Sequence, residues 1–240
     1  LLKIEKLSCQ RSNSLIFNNL SFEVEKGKNV EIVGSNGSGK TSLLKCILGL
    51  IEKNNGKVSW KNQLIEESKH SFLKSCFYQG HELALKPSFS VIENLIYSHL
   101  AFDVKEDKIL FALKEVGLSD FIKRTASDLS IGQLKRLALA KWLMCDHDLY
   151  LIDEPFTSLD EEGVYLVLKI IKELNSRGCS FLFTSHKSSE VDSAEINLDN
   201  YNWQLYFDTY NISDITRNKR EVITHYLLYG IHDNKVMMKV

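Results

Sequence analysis

Apolar residues alternate in short runs at the start of the chain and recur at helical spacing further on. Leu2 to Ser8 and Leu15 to Val24 predict two strands joined by the polar turn QRSNS, and Lys26-Gly27 turns the chain into a third, Asn29 to Val33. Leu43, Leu44, Ile47, Leu48 and Ile51 then repeat as one face of a helix, until Asn54 to Gly56 breaks the pattern. Gly56 to Trp60 and Phe72 to Gln79 read as further strands. From about Ser88 the spacing is helical. Ser90 with Glu93 forms a capping box before the apolar run Leu95 to Ala101, and Ile109, Leu110, Leu113 and Val116 make an amphipathic helix closed by Gly117. Ser130 with Gln133 forms a second capping box ahead of Leu134, Leu137, Ala138 and Leu139. Leu149 to Ile152 is a short apolar strand, Val164, Val167, Leu168, Ile171 and Leu174 mark a helix stopping at Gly178, and Cys179 to Thr184 is a strand again.

This order predicts an α/β fold with a doubly wound, mostly parallel sheet and a helical insert over about 88–135. Signals weaken beyond Asp192. Residues 201–240 carry no nameable pattern and are set apart as an extension of unassigned role, leaving 1–200 as the main domain.

The candidate chemistry sits at two strand ends. After Asn29 to Val33 comes GSNGSGKT, that is Gly34, Ser35, Asn36, Gly37, Ser38, Gly39, Lys40 and Thr41, matching G-x-x-x-x-G-K-[ST] between a strand and a helix. Its glycines let successive N–H groups face an anion; Lys40 adds a charge for β- and γ-phosphates, and the Thr41 hydroxyl a ligand for Mg²⁺. After Leu149 to Ile152 come Asp153 and Glu154, two carboxylates at the C-terminal edge of the sheet, where α/β folds hold ligands.

Composition narrows the picture. The 30 basic and 31 acidic side chains of the 240 residues form no long run of either sign, which argues against a nucleic-acid surface. Five scattered cysteines lack metal-ligand spacing and read as reduced, buried residues. No apolar stretch approaches the roughly 18 residues of a membrane span, and LLKIEKL lacks a signal peptide's layout, so the expectation is a soluble or peripheral chain.

Taken in order, GSNGSGKT, LSIGQ, LYLIDEP, SLD and TSH resemble the ATP-binding-cassette (ABC) ATPase family over Leu2 to about Glu190. The resemblance implies a P-loop NTPase of the ABC type: a mixed or parallel core sheet, an N-terminal antiparallel β subdomain and the helical insert. It implies ATP hydrolysis with Mg²⁺, Asp153 reaching the metal, Glu154 as general base and His186 as the switch residue on the γ-phosphate and the water. It also implies a head-to-tail homodimer in which Ser130, Gly132 and Gln133 meet the ATP of the other subunit, with Asp160 linking the two sites. The lid-loop glutamine of the family falls on His81, with Gln79 two residues earlier as the alternative. Its adenine-stacking position falls on Arg11 or Cys9.

Cys9-Gln10-Arg11, YQGHELALKPSFSVIENL and IDEPFTSLD further resemble the CcmA family of cytochrome c maturation ATPases, with Gly80-His81 at the lid loop. That implies work on the inner face of a bacterial or mitochondrial inner membrane with a CcmB-like membrane subunit and a CcmC-like haem-handling subunit, in haem export or release of the haem chaperone.

Overall fold

The antiparallel start of the chain is longer than its alternation suggests, because a bulge resets its phase. In β1 (Leu2–Arg11), Leu2 and Ile4 are buried and then, with the opposite parity, so are Leu7 and Cys9. Between them Lys6 has φ 49°, and the pairing with β4 (Asn55–Trp60) shifts register between Glu5 and Ser8. One extra residue turns both apolar pairs inward.

The computed structural model describes residues 1–11, 14–98, 104–144 and 147–200, with the side chains of residues 11 and 14 left aside; the tip of the predicted QRSNS turn, the end of the Leu95 to Ala101 run and the 201–240 extension lie outside this set. The chain divides into two units, one of residues 1–23, 32–68 and 195 onward, the other of 24–31 and 69–194.

In the first unit, β2 (Ser14–Val24), β1, β4 and β5 (Gln63–Leu64) form a sheet in that order, antiparallel where β1 meets β4 and β4 meets β5. The last residues of β3 (Asn29–Val33) run into the glycine loop and then α1 (Lys40–Ile47). Beside β3 lies β9 (Ala194–Asn197), a short, partly exposed strand that the sequence pattern does not signal.

In the second unit, β6 (Cys76–Gln79), β7 (Leu149–Ile152) and β8 (Ser180–Ser185) are parallel, with Gln79, Ile152 and Phe183 in register. Every residue of β7 and β8 is buried, as expected of strands covered on both faces. Over them pack α5 (Ile131–Met144) and α6 (Glu161–Ser176), through Leu137, Trp142, Val167 and Ile171. Tyr150 stacks on Phe181 at 4.8 Å, filling the layer between strands and helices. The insert contributes α3 (Val91–Ile96) and α4 (Glu106–Glu115), whose Val91, Leu95, Ile109 and Leu113 join the same core. Both predicted capping boxes are formed: Glu93 N donates to Ser90 Oγ at 3.3 Å and Gln133 N to Ser130 Oγ at 3.2 Å.

One expectation is corrected. Phe72 to Ser75 is not strand: α2 (Ile65–Ser75) continues to Ser75, and only Cys76–Gln79 joins the sheet. Phe72 is fully buried from the helix, which gave the run its strand-like apolar density. The segment is kinked at Ser68, whose φ of −125° and ψ of 24° are not helical, and Lys74 in the last turn suits the C-terminal end of the part that carries Phe72.

Candidate nucleotide site

The loop from Gly34 to Thr41 is shaped by backbone no other residue type tolerates well. Gly39 has φ 104°, and a Cβ there would come within 2.4 Å of Ile16 Cγ2, so conformation and space both require glycine. Lys40 is buried, and its ammonium donates to the carbonyls of Gly34 at 2.7 Å and Ser35 at 3.2 Å. The charge is held at the loop it would serve, beside the N–H-rich start of α1. Ser35 is pinned further: its N–H and hydroxyl donate to the Asp199 carboxylate at 3.0 and 2.8 Å. No local pattern announces that contact, which spans 164 residues.

The end of β7 carries the second set. Asp153 is buried; its N–H donates to the Gln79 carbonyl at 2.8 Å, and its Oδ1 accepts from the Thr184 hydroxyl at 2.7 Å. Thr184 Oγ1 in turn accepts from Glu154 N at 2.9 Å, so one hydroxyl fixes both acidic residues. Glu154 has φ 55°, a left-handed conformation unusual for a residue with a side chain and of the kind stored at functional sites. Its Oε1 lies 2.9 Å from His186 Nε2, and its Oε2 accepts from Thr157 Oγ1 at 3.1 Å. The Glu154 side chain is only 15% exposed and that of His186 42%. Together they line a cavity of about 330 Å³ that also reaches Phe156, Val164 and Leu168.

Other predicted positions divide. Gln79 ends β6 beside Ile152, but its amide oxygen accepts from Trp142 Nε1 at 2.8 Å, tying the side chain to α5. His81 is exposed in the loop that follows. Ser130, Ile131 and Gly132 are exposed at the start of α5, and Asp160 caps α6, accepting from Gly163 N at 2.8 Å. Arg11 ends β1, its side chain outside the described set, while Cys9 is buried.

A family model described as "ABC transporter" matches residues 17–157. The chain belongs to the ABC transporter family. Its relatives include the cytochrome c biogenesis ATP-binding export protein CcmA of Mannheimia succiniciproducens, 36% identical over 201 residues, covering 83% of this chain and 93% of that protein. The corresponding CcmA of Pasteurella multocida is 36% identical over 205 residues, covering 83% and 95%. Among solved structures, a putative ABC transporter ATP-binding protein from Pyrococcus furiosus superposes with a TM-score of 0.74 at 27% identity, covering 83% of this chain and 98% of its own. CbiO1 from Clostridium perfringens, part of the cbiONQ ABC transporter complex, gives 0.66 at 25% identity, covering 78% of each chain. As an ABC ATPase of the CcmA type, the chain hydrolyses ATP. Its fold is the P-loop α/β architecture, with an antiparallel sheet and a parallel sheet flanked by helices.

A buried cation in this ABC ATPase escaped the sequence pattern. Lys141 on α5 donates to the carbonyl of Ala84, in the loop after His81, at 2.8 Å. Burial pushes its pKa down from 10.5 to about 8. Between about pH 8 and 10.5 the unfolded chain holds a proton at Lys141 that the folded chain does not, so folding gains stability as pH rises through that window. The stability of the wild type relative to Lys141→Met, from urea unfolding, should therefore increase from pH 7 to pH 10. A difference that stays flat would contradict the burial of the ammonium.

Proposed function

We propose that this chain is the ATP-hydrolysing subunit of an ABC transporter complex for cytochrome c-type biogenesis, in haem export or release of the haem chaperone. The observation that carries the catalytic part is the Glu154 carboxylate, held between His186 and Thr157 on a left-handed residue at the end of β7. The CcmA relatives support the assignment to cytochrome c biogenesis.

In this reading Gly34 to Thr41 hold the phosphates, with Lys40 turning from its own loop's carbonyls to the β- and γ-oxygens. Glu154 takes a proton from the attacking water, and His186, already against Glu154, orients that water and the γ-phosphate. Thr41 and Asp153 would hold Mg²⁺, whose preference for hard oxygen donors suits a hydroxyl and a carboxylate; the ion supplies charge neutralisation to the phosphates. Gln79, with its oxygen on Trp142, fits the lid-loop role less well than exposed His81. Arg11 would stack on the adenine.

Two chains would form a head-to-tail homodimer in which Ser130, Gly132 and Gln133 of one meet the γ-phosphate held by the other, the exposed start of α5 serving as the anion-facing helix end. Asp160 would link the two sites. No described helix is long and apolar enough to cross a membrane. The partners in this reading are a CcmB-like integral subunit and a CcmC-like haem-handling subunit, at the inner face of a bacterial or mitochondrial inner membrane.

A pull-down of the tagged chain from gently solubilised native membranes tests the assignment. CcmB-like and CcmC-like proteins should be recovered in amounts comparable to the bait. A different permease in their place would refute the cytochrome c role and leave the hydrolytic chemistry standing.

A further inference from the structure

The loop that carries Glu154 is held from a direction that the hydrolytic reading does not use. Lys135, on α5, donates from its ammonium to the carbonyls of Thr157 and of Ser158, the latter at 2.9 Å. The stretch it grips runs between two left-handed residues, Glu154 at φ 55° and Ser158 at φ 54°. Such backbone persists only where its surroundings over-determine it. Within the stretch, Thr157 N donates to the Glu154 carbonyl at 3.3 Å and Thr157 Oγ1 to Glu154 Oε2 at 3.1 Å. A continuous path of hydrogen bonds therefore leads from the Lys135 ammonium through Thr157 to the carboxylate that faces His186. Burial lowers the pKa of Lys135, in keeping with an ammonium turned from solvent to these carbonyls.

The other end of the path is as specific. Lys135 lies just beyond the capping box of Ser130 and Gln133, whose reciprocal bonds of 3.2 and 2.9 Å set the first turn of α5. A rigid helical turn separates that exposed end from Lys135.

We propose that Lys135 is a positioning residue for hydrolysis: by gripping Thr157 and Ser158 it keeps the Glu154 carboxylate aimed, and it makes that aim depend on the seating of the Ser130–Gly132 turn of its own helix. The proposal rests on Glu154 being the base. It adds that one chain's α5, whose tip faces the nucleotide of the partner, reports on that tip to the chain's own hydrolytic carboxylate. Displacing the tip would pull on Lys135, release two carbonyls and let the Glu154 side chain turn; seating the tip restores the grip. The coupling needs no motion beyond a few hydrogen bonds, since a misplacement on the order of 1 Å in such a group costs about 100-fold in rate.

The test is steady-state ATP hydrolysis by the full chain, with kcat and KM separated. Lys135→Met should lower kcat about tenfold and leave KM within about twofold, because the aim of the base is lost and the phosphate loop is untouched. Lys135→Arg, which keeps a cation with donors, should recover most of the loss. Thr157→Val, which removes the hydroxyl from Glu154 without touching Lys135, should reproduce it. In single-turnover measurements on a Glu154→Gln background, Lys135→Met should add no further slowing, since a residue acting through Glu154 has nothing left to act on.

A kcat for Lys135→Met within twofold of wild type, or an undiminished tenfold loss in the Glu154→Gln background, would overturn the proposal. If Lys135→Met does not fold, as judged by circular dichroism, an unchanged kcat in Thr157→Val overturns it equally. Failure of the underlying reading looks different: there Glu154→Gln itself would hydrolyse ATP at the wild-type rate.

Discussion

Glu154→Gln should leave ATP binding within about twofold of wild type and reduce turnover by about 100-fold or more, the scale of contribution made by a well-placed general base. The substitution conserves shape in a place where shape is tightly defined. Its neighbours hold the carboxylate on both oxygens, His186 Nε2 at 2.9 Å and Thr157 Oγ1 at 3.1 Å, and the side chain is mostly buried. A glutamine keeps one acceptor and turns the other into a donor, a change the rotatable Thr157 hydroxyl absorbs. What disappears is the ability to take a proton. Binding should survive because Gly34 to Thr41, the proposed phosphate loop, are untouched, and ATP-driven dimerisation should become easier to detect because the nucleotide persists. Phosphate release from a single turnover, beside equilibrium titration with a fluorescent ATP analogue, separates the two effects. Turnover at the wild-type rate would move the base elsewhere.

The parts of the site legible in the sequence are those whose chemistry is local. The loop from Gly34 to Thr41 could be read between its strand and helix because so tight a turn of backbone needs glycine at fixed steps, as the 104° φ of Gly39 illustrates. The two capping boxes were legible for the same reason, since both partners lie within one turn of helix. β7 was read to the residue: four buried apolar positions followed by two carboxylates leave no other phase.

What escaped depends on contacts between distant parts of the chain. Trp142 on Gln79, Lys141 on Ala84, Asp199 on Ser35 and Lys135 on Thr157 are hydrogen bonds across 22 to 164 residues, and no periodicity encodes them. The start of β6 was misread because Phe72, buried from a helix, looks like Phe77, buried from a strand; burial alone carries no period. β9 went unseen because its residues are only partly covered, so the apolar alternation that marks a strand never builds up.

Lys40→Ala should weaken ATP and ADP binding by about 10- to 100-fold, the equivalent of one hydrogen bond to a charged group at about 1.5–3 kcal/mol. Two effects of the substitution act together. The ammonium that would meet the β- and γ-phosphates is lost, and with it a charge-assisted contact. The loop also loses its internal brace, because the same nitrogen satisfies the carbonyls of Gly34 and Ser35. Lys40→Met removes the same nitrogen but fills most of the buried space: affinity as poor as in Lys40→Ala assigns the loss to the ammonium and the hydrogen bonds it donates, and a substantial recovery assigns it to the space left by truncation. Titration with a fluorescent nucleotide, with an unfolding curve to show that the loop's loss has not cost the fold, gives the answer; an unchanged Kd in Lys40→Ala would remove Lys40 from the phosphate site.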